Sequence, residues 1–161
     1  MPGSAYAVRN AGHDDVARIC SFGEAHVGRH YAPLIGARAA DDQVRRWWNE
    51  TEISAAVARG VVVVAETDGQ LVGVGQRGRN GPDHVVYKLY VHPGQRGRGL
   101  GPRLLAALVE QLPADARRLY IEHFAANERA GSFYEREGFR VDRVEPGPTE
   151  ALAVVWRVRE V

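Results

Sequence analysis

The chain has 161 residues, 45% hydrophobic and 25% charged, with 21 basic against 20 acidic residues for a formal charge of +1. That length suits a single domain over residues 1–161, able to form a core without disulfides or structural metal, and the lone Cys20 excludes an intrachain disulfide and a cysteine-only zinc site. The charge balance offers no general attraction to nucleic acid or anionic membrane; with no basic-then-apolar leader and no apolar run near the ~20 residues that span a bilayer, a cytoplasmic location is expected.

Ala5–Asn10 reads as a short strand, and His13-Asp14-Asp15 as the acidic first turn of a helix that runs to about Val27, with Val16, Ile19, Cys20 and Phe22 on its inner face. Gly28 to Ala37, with His30, Tyr31, Pro33 and Gly36, reads as irregular. A second helix, whole or broken, follows from about Ala40 to Arg59 and carries Trp47 and Trp48; Gly60 caps it. Val61–Thr67 is a β-branched, buried strand. Asp68-Gly69 is a two-residue hairpin turn, and Gln70–Gly78 is the returning strand. After a turn at Arg79–Asp83, Val85–Val91 is a third strand, which leads into Gly94-Gln95-Arg96-Gly97-Arg98-Gly99-Leu100-Gly101. Pro102 to Leu112 is helical, with Leu104, Leu105, Leu108, Val109 and Leu112 as one stripe. Arg118–Phe124 is a strand, Asn127 the N-cap of a further helix and Gly138 its end; Phe139–Val144 and Ala151–Val158 are the last strands. This is a mixed α/β domain without repeats or linkers.

The unit strand, glycine loop, helix over 85–112 carries the chemistry. Backbone N–H groups and the positive end of a helix dipole converge there, which suits phosphate. Arg96 and Arg98 add cations. No Gly-Lys-Ser/Thr tripeptide occurs, so a Walker loop is out. The dinucleotide fingerprint fails as well, since Pro102 stands where its third glycine belongs, although Glu122 lies near the ribose-acid spacing. A ligand-free tight turn is the plain alternative.

Leu89-Tyr90-Val91-His92-Pro93 followed by Arg96-Gly97-Arg98-Gly99-Leu100-Gly101 resembles the acetyl-coenzyme A motif of the GNAT superfamily of N-acetyltransferases, with Arg96, Gly99 and Gly101 at its fixed positions. A second block, Asn127-Glu128-Arg129-Ala130, Phe133-Tyr134 and Gly138-Phe139, is similar to the family's later helix and strand. The resemblance implies a central mixed, mostly antiparallel sheet flanked by helices, and acetyl-CoA as donor. Amides from Gly97 to Gly101, through Arg98, Gly99 and Leu100, would bind the pyrophosphate, with Arg96 at the loop's start. The strand at Leu89, Tyr90 and Val91 would splay from its neighbour, so that backbone groups of Leu89 and Val91 hold the pantetheine arm and thioester carbonyl. Asn127 would contact the arm and Tyr134 would lie near the sulfur as catalytic acid.

Amine attack needs a base or water chain, a donor for the developing oxyanion and an acid for the leaving thiolate. Many relatives carry a glutamate on the strand before the glycine loop; here the only charge on that stretch is Lys88, the chain's single lysine. The simpler expectation sets Lys88 towards solvent or in a carboxylate pair. Facing the acceptor pocket instead, it would suit an anionic acceptor or repel a cationic one. Glu122 and His123 are the remaining base candidates, one of which must face the site. The acceptor, a small-molecule or peptide amine, would lie between the 28–37 segment and the second helix, with His26, His30, Tyr31, Trp47 and Trp48 available to line it. His26 and His30 are spaced i, i+4, but Gly28 between them and the lack of a third ligand argue against metal. The expected activity is direct acetyl transfer to a primary amine; a non-catalytic acyl-CoA sensor is the alternative. Relatives often form homodimers, and the C-terminal strand is a candidate pairing edge.

Overall fold

The hydrophobic runs of the sequence assemble into one seven-stranded sheet in the computed structural model, which describes residues 5–161. Its strands are β1 (Ala7–Asn10), β2 (Val62–Thr67), β3 (Gln70–Asn80), β4 (Asp83–Val91), β5 (Arg118–Phe124), β6 (Arg140–Glu145) and β7 (Val154–Glu160), in the order β1-β2-β3-β4-β5-β7-β6. Every neighbouring pair is antiparallel except β4 with β5. This is the α/β, mostly antiparallel architecture expected from the sequence. One expectation is corrected: β7 is interior, paired on both sides, and the free edge on that side of the sheet belongs to β6.

Helices α1 (Val16–Phe22), α2 (Gly28–Ile35), α3 (Ala37–Trp47) and α4 (Glu50–Ala58) bury Ile19, Tyr31, Ala40, Trp48 and Ile53 against Val62, Val64 and Val74 on one face of the sheet. On the other face, α5 (Leu100–Glu110) and α6 (Glu128–Arg136) set Leu104, Leu105, Leu108 and Tyr134 over Val63, Ala65, Leu119 and Ile121. Strand alternation explains the split, because consecutive β2 side chains go to opposite faces. Gly73 makes room for α5: a Cβ there would lie 2.9 Å from Leu104 Cδ1 and 3.3 Å from the Tyr90 carbonyl. Among the described residues no helix is long and apolar enough to cross a membrane.

The segment from Gly28 to Ala37 is helical rather than irregular. A wide turn over Gly23–Val27 joins α1 to α2, and the helix runs through Gly28 and Pro33 until Gly36 turns at φ +91°. Glycine and proline weaken an isolated helix. Here burial of Val27 and Tyr31, and packing of α2 against α3, outweigh them. At Gly23 a Cβ would come within 2.7 Å of the Trp48 side chain, so that glycine serves a close approach. The second helix is broken after Trp47, and α4 restarts behind Asn49, whose side chain accepts the Glu52 N–H at 2.9 Å.

β1 is tied to this layer by charge. Asp15 accepts the Gly12 N–H at 2.8 Å and bonds from Arg9 at 2.7 Å and Arg18 at 3.0 Å, and both arginines also reach Glu66 on β2. The Arg9 hydrogen bond, first of several such contacts, lowers the Asp15 pKa to about 2.

Two irregularities in β4 prepare the site. Gln76 pairs with Lys88 but Arg77 with Val86, so Tyr87 is an extra residue in a bulge. Pairing of β4 with β5 ends at Val86 and Ile121, and the strands part beyond it.

Candidate active site

The parting of β4 from β5 leaves main-chain groups free. His92 N–H donates to Val72 O at 2.8 Å, and alternation in the antiparallel ladder then turns Tyr90 and Lys88 backbones towards β3 and those of Leu89 and Val91 towards the gap. An extended ligand laid in the gap would meet a donor and an acceptor at each of those two residues. The side chains of Leu89 and Val91 pack on the α5 cluster. Tyr90 points to the opposite face, where its hydroxyl shares a hydrogen bond with that of Tyr31.

The glycine loop continues from this edge. Gly97 at φ +80° and Gly99 at φ +76° sit in the left-handed region, with nothing within 4 Å of where a Cβ would be. Arg103 N–H bonds back to Gly99 O at 3.2 Å, so the amides of Leu100 and Gly101 begin the helix without intrahelical acceptors. Gly101 has a packing role besides: a Cβ there would stand 3.1 Å from the Phe133 ring, between α5 and α6. Tyr6 steadies the loop by donating to Gln95 and accepting from Arg98 at 3.2 Å. Arg96 lies near Arg129, and burial followed by that neighbour lowers its pKa. His30 sits against the same two arginines and Asn127; burial first, then Arg96 and Arg129, lower its pKa. Asn127 caps α6 by accepting the Ala130 N–H at 3.4 Å. This open, positive, amide-rich loop fits a phosphorylated ligand.

On the opposite face a cleft of about 750 Å³ opens between α2–α4 and the ends of β3, β4 and β5. Its aromatic wall is Tyr31, Trp48, Tyr90 and Phe124, with Trp48 and Tyr90 ring centroids 5.3 Å apart. Lys88 belongs to this cleft rather than to solvent or a carboxylate pair. It is 7% exposed, donates to Gln76 Oε1 at 3.0 Å and lies 5.4 Å from the Trp48 ring centroid. The bulge at Tyr87 turns it inward. Burial lowers its pKa to about 8 against the weaker pull of Glu52.

Glu122 and His123 divide as strand geometry requires. Glu122 turns towards the cleft, where burial raises its pKa, helped by Glu145 and opposed by Arg143. His123 turns to α6. Its Nδ1 lies 2.8 Å from the Phe124 carbonyl and its Nε2 accepts from Arg157 Nε at 3.0 Å. A ring nitrogen facing a carbonyl must carry the proton, so His123 is neutral with both nitrogens engaged. Tyr134 is 7% exposed, its ring 5.8 Å from that of His123, and burial raises its hydroxyl pKa well above the usual value, with Tyr31 and Glu122 adding to it.

Of the lining candidates named from sequence, Tyr31, Trp47 and Trp48 reach the cleft. His30 lies at the arginine pair instead, and His26 packs 4.3 Å from the His92 ring. Helix α2 does run through Gly28, but among the described residues no three His, Cys, Asp or Glu side chains gather as a metal-ligand set. Gln76, Arg77 and Tyr87 were not anticipated. Their placement depends on the bulge, which strand alternation does not announce. Arg129 lay inside a block already singled out, next to the Asn127 cap.

Residues 58–141, just over half of the chain, match the acetyltransferase (GNAT) domain family. The chain is 26% identical over 146 residues to the L-methionine sulfoximine/L-methionine sulfone acetyltransferase of Pseudomonas aeruginosa, covering 87% of this chain and 83% of that one. In fold it matches the PaiA N-acetyltransferase of Thermoplasma acidophilum, solved in complex with coenzyme A, with a TM-score of 0.81 at 14% identity over 98% and 99% of the two chains. It also matches YncA of Salmonella typhimurium, solved with its cofactor acetyl-CoA, with a TM-score of 0.70 at 22% identity over 97% and 94%.

Proposed function

The chain belongs to the GNAT acetyltransferase family, and from that premise we propose that it transfers an acetyl group from acetyl-CoA directly to a primary amine, in the cytoplasm. The observation that carries this reading is the unpaired edge of β4 at Leu89 and Val91, which runs straight into the glycine loop. Acetyl-CoA would supply the activated thioester. Amides from Gly97 to Gly101, with Arg96 and Arg98, hold the pyrophosphate. The backbones of Leu89 and Val91 hold the arm and the carbonyl oxygen, with Tyr90 fixed between them and Asn127 beside the arm. An N–H fixed in place before reaction is a stronger partner for a developing oxyanion than mobile water.

Glu122 is the proposed base, directly or through one water: it faces the cleft, and burial lifts its pKa towards the working range. His123 is set aside because both ring nitrogens are engaged. Tyr134 keeps its proton at neutral pH, which supports its role as acid towards the departing thiolate. Cys20 lies on α1 with its thiol pKa raised, chiefly by burial, so an acyl-enzyme route lacks an activated nucleophile. Homodimerisation belongs to the same proposal, through β6. Antiparallel pairing about its middle would oppose Arg140 to Glu145, Asp142 to Arg143 and Val141 to Val144.

Thermal-shift titration with acetyl-CoA, coenzyme A, NAD and ATP tests the donor assignment, since a ligand that binds only the folded state raises Tm. A rise with the two coenzyme A species alone, and amine-dependent thiol release, is expected. No rise with either would overturn the reading. A rise without thiol release towards any amine would favour an acyl-CoA sensor.

A further inference from the structure

Lys88 is a cation left without a counter-ion. It is 7% exposed, is held by a neutral amide and an indole ring, and joins no ion pair among the described residues. Glu52 on α4 is the acid whose field reaches it, yet no bridge forms. Arg77, next to Gln76 and paired with Val86, turns to the opposite face of the sheet, so Lys88 is the buried cation of the cleft. Arg59 and Arg79 add positive charge at the rim, against Glu52 and Glu122 as the acids in the lining.

Glu122 is the complementary case, a cleft-lining carboxylate that also joins no ion pair among the described residues. Val86 pairs with Arg77 on one side and with Ile121 on the other, so Lys88 and Glu122 stand just past the point where β4 and β5 part. A fold selected for stability alone would pair these charges or replace them with apolar groups. Held apart across a cleft of about 750 Å³, they form one cationic and one anionic pole.

We propose that the acceptor is a zwitterionic amine of the amino-acid class, its carboxylate seated on Lys88 and its amino group against Glu122. The inference rests on the acetyltransferase reading above. The amine thereby lies at the base and beside the free edge of β4, while the carboxylate fixes which end of the molecule faces the donor. The aromatic wall of Trp48, Tyr31 and Phe124 receives the remaining side chain.

The test is coenzyme A release by the full chain from acetyl-CoA with the twenty protein amino acids. Each is paired with its carboxamide and with the corresponding amine that lacks the carboxylate. At least one acid should exceed its carboxamide in kcat/KM by roughly ten- to hundredfold, as expected for a charge-assisted contact. Lys88→Gln should bring that ratio towards one, whereas Lys88→Arg should keep much of it. The wild-type ratio needs no variant, so a variant that fails to fold leaves the test intact. Carboxamides or carboxylate-free amines used as well as the acids, or a ratio that survives in Lys88→Gln, would overturn the inference. Turnover confined to polyamines or peptides would also overturn it while leaving acetyl transfer standing. No stabilisation by acetyl-CoA and no thiol release with any amine would remove the acetyltransferase reading itself.

Discussion

Glu122 is one of two consecutive polar residues on β5, and its neighbour His123 has both ring nitrogens engaged. A general base acts when ionised, so turnover should fall as pH drops through the Glu122 pKa. Burial shifts that limb upward from the ordinary value of a glutamate. The groups that bear on it are Tyr87 and Tyr90 of β4, Tyr31 of α2, Tyr134 of α6, and Arg143 and Glu145 of β6. Glu122→Gln should lower kcat about 10²- to 10³-fold and abolish the acid limb of the kcat profile, with acetyl-CoA affinity unchanged. Tyr134→Phe should reduce kcat by about tenfold or more without weakening acetyl-CoA binding by calorimetry; equal turnover would remove its role as acid. Lys88 carries a stability prediction of its own. With a pKa of about 8 in the fold against 10.5 as its ordinary value, the penalty of burying its charge is fully present below pH 8 and fades between pH 8 and 10.5. Lys88→Met should therefore stabilise the protein at pH 7 by up to about 3 kcal/mol in denaturant unfolding, and the gain should shrink as pH rises through that window.

At the scale of elements, the decisive feature is the junction of β4, the glycine loop and α5. Gly99 holds φ +76° with open space around it, so a side chain there meets backbone strain rather than a clash. Gly99→Val should cost about 1–2 kcal/mol in stability and leave the fold in place. The branched side chain would stand over the amides of α5, and the Kd for acetyl-CoA should rise at least about tenfold by calorimetry. An unchanged Kd would remove the loop from the donor site. This junction was legible in the sequence, because glycine, arginine and helix start lie within a dozen residues. Helix α2 was not. Gly28, Pro33 and Gly36 all signal breaks locally, and the burial that overrides the first two comes from α3 and the sheet. The Tyr87 bulge was equally hidden, since it is defined by the register of β3 against β4 rather than by either strand alone.

The whole molecule presents two asymmetries. One is the cleft, whose charges are spread over β3, β4, β5 and α4. The other is β6, an outer strand on which Val141 and Val144 are 52% and 54% exposed. Light scattering coupled to size exclusion should find a dimer, and Val141→Lys with Val144→Lys should convert it to a monomer by setting like charges across the two-fold axis. A wild-type monomer at tens of micromolar would remove β6 as the interface. By itself the sequence determined the order of the strands, the glycine-rich loop and the family, because periodicity, turn residues and glycine spacing are written in contiguous residues. Only the tertiary structure decided that Lys88 faces inward, that Glu122 is free in the cleft while both ring nitrogens of His123 are engaged, and that β6 is the edge. Each of those depends on which strands pair, in which register and where the pairing stops, and that balance of burial and hydrogen bonding is struck between segments far apart in the chain.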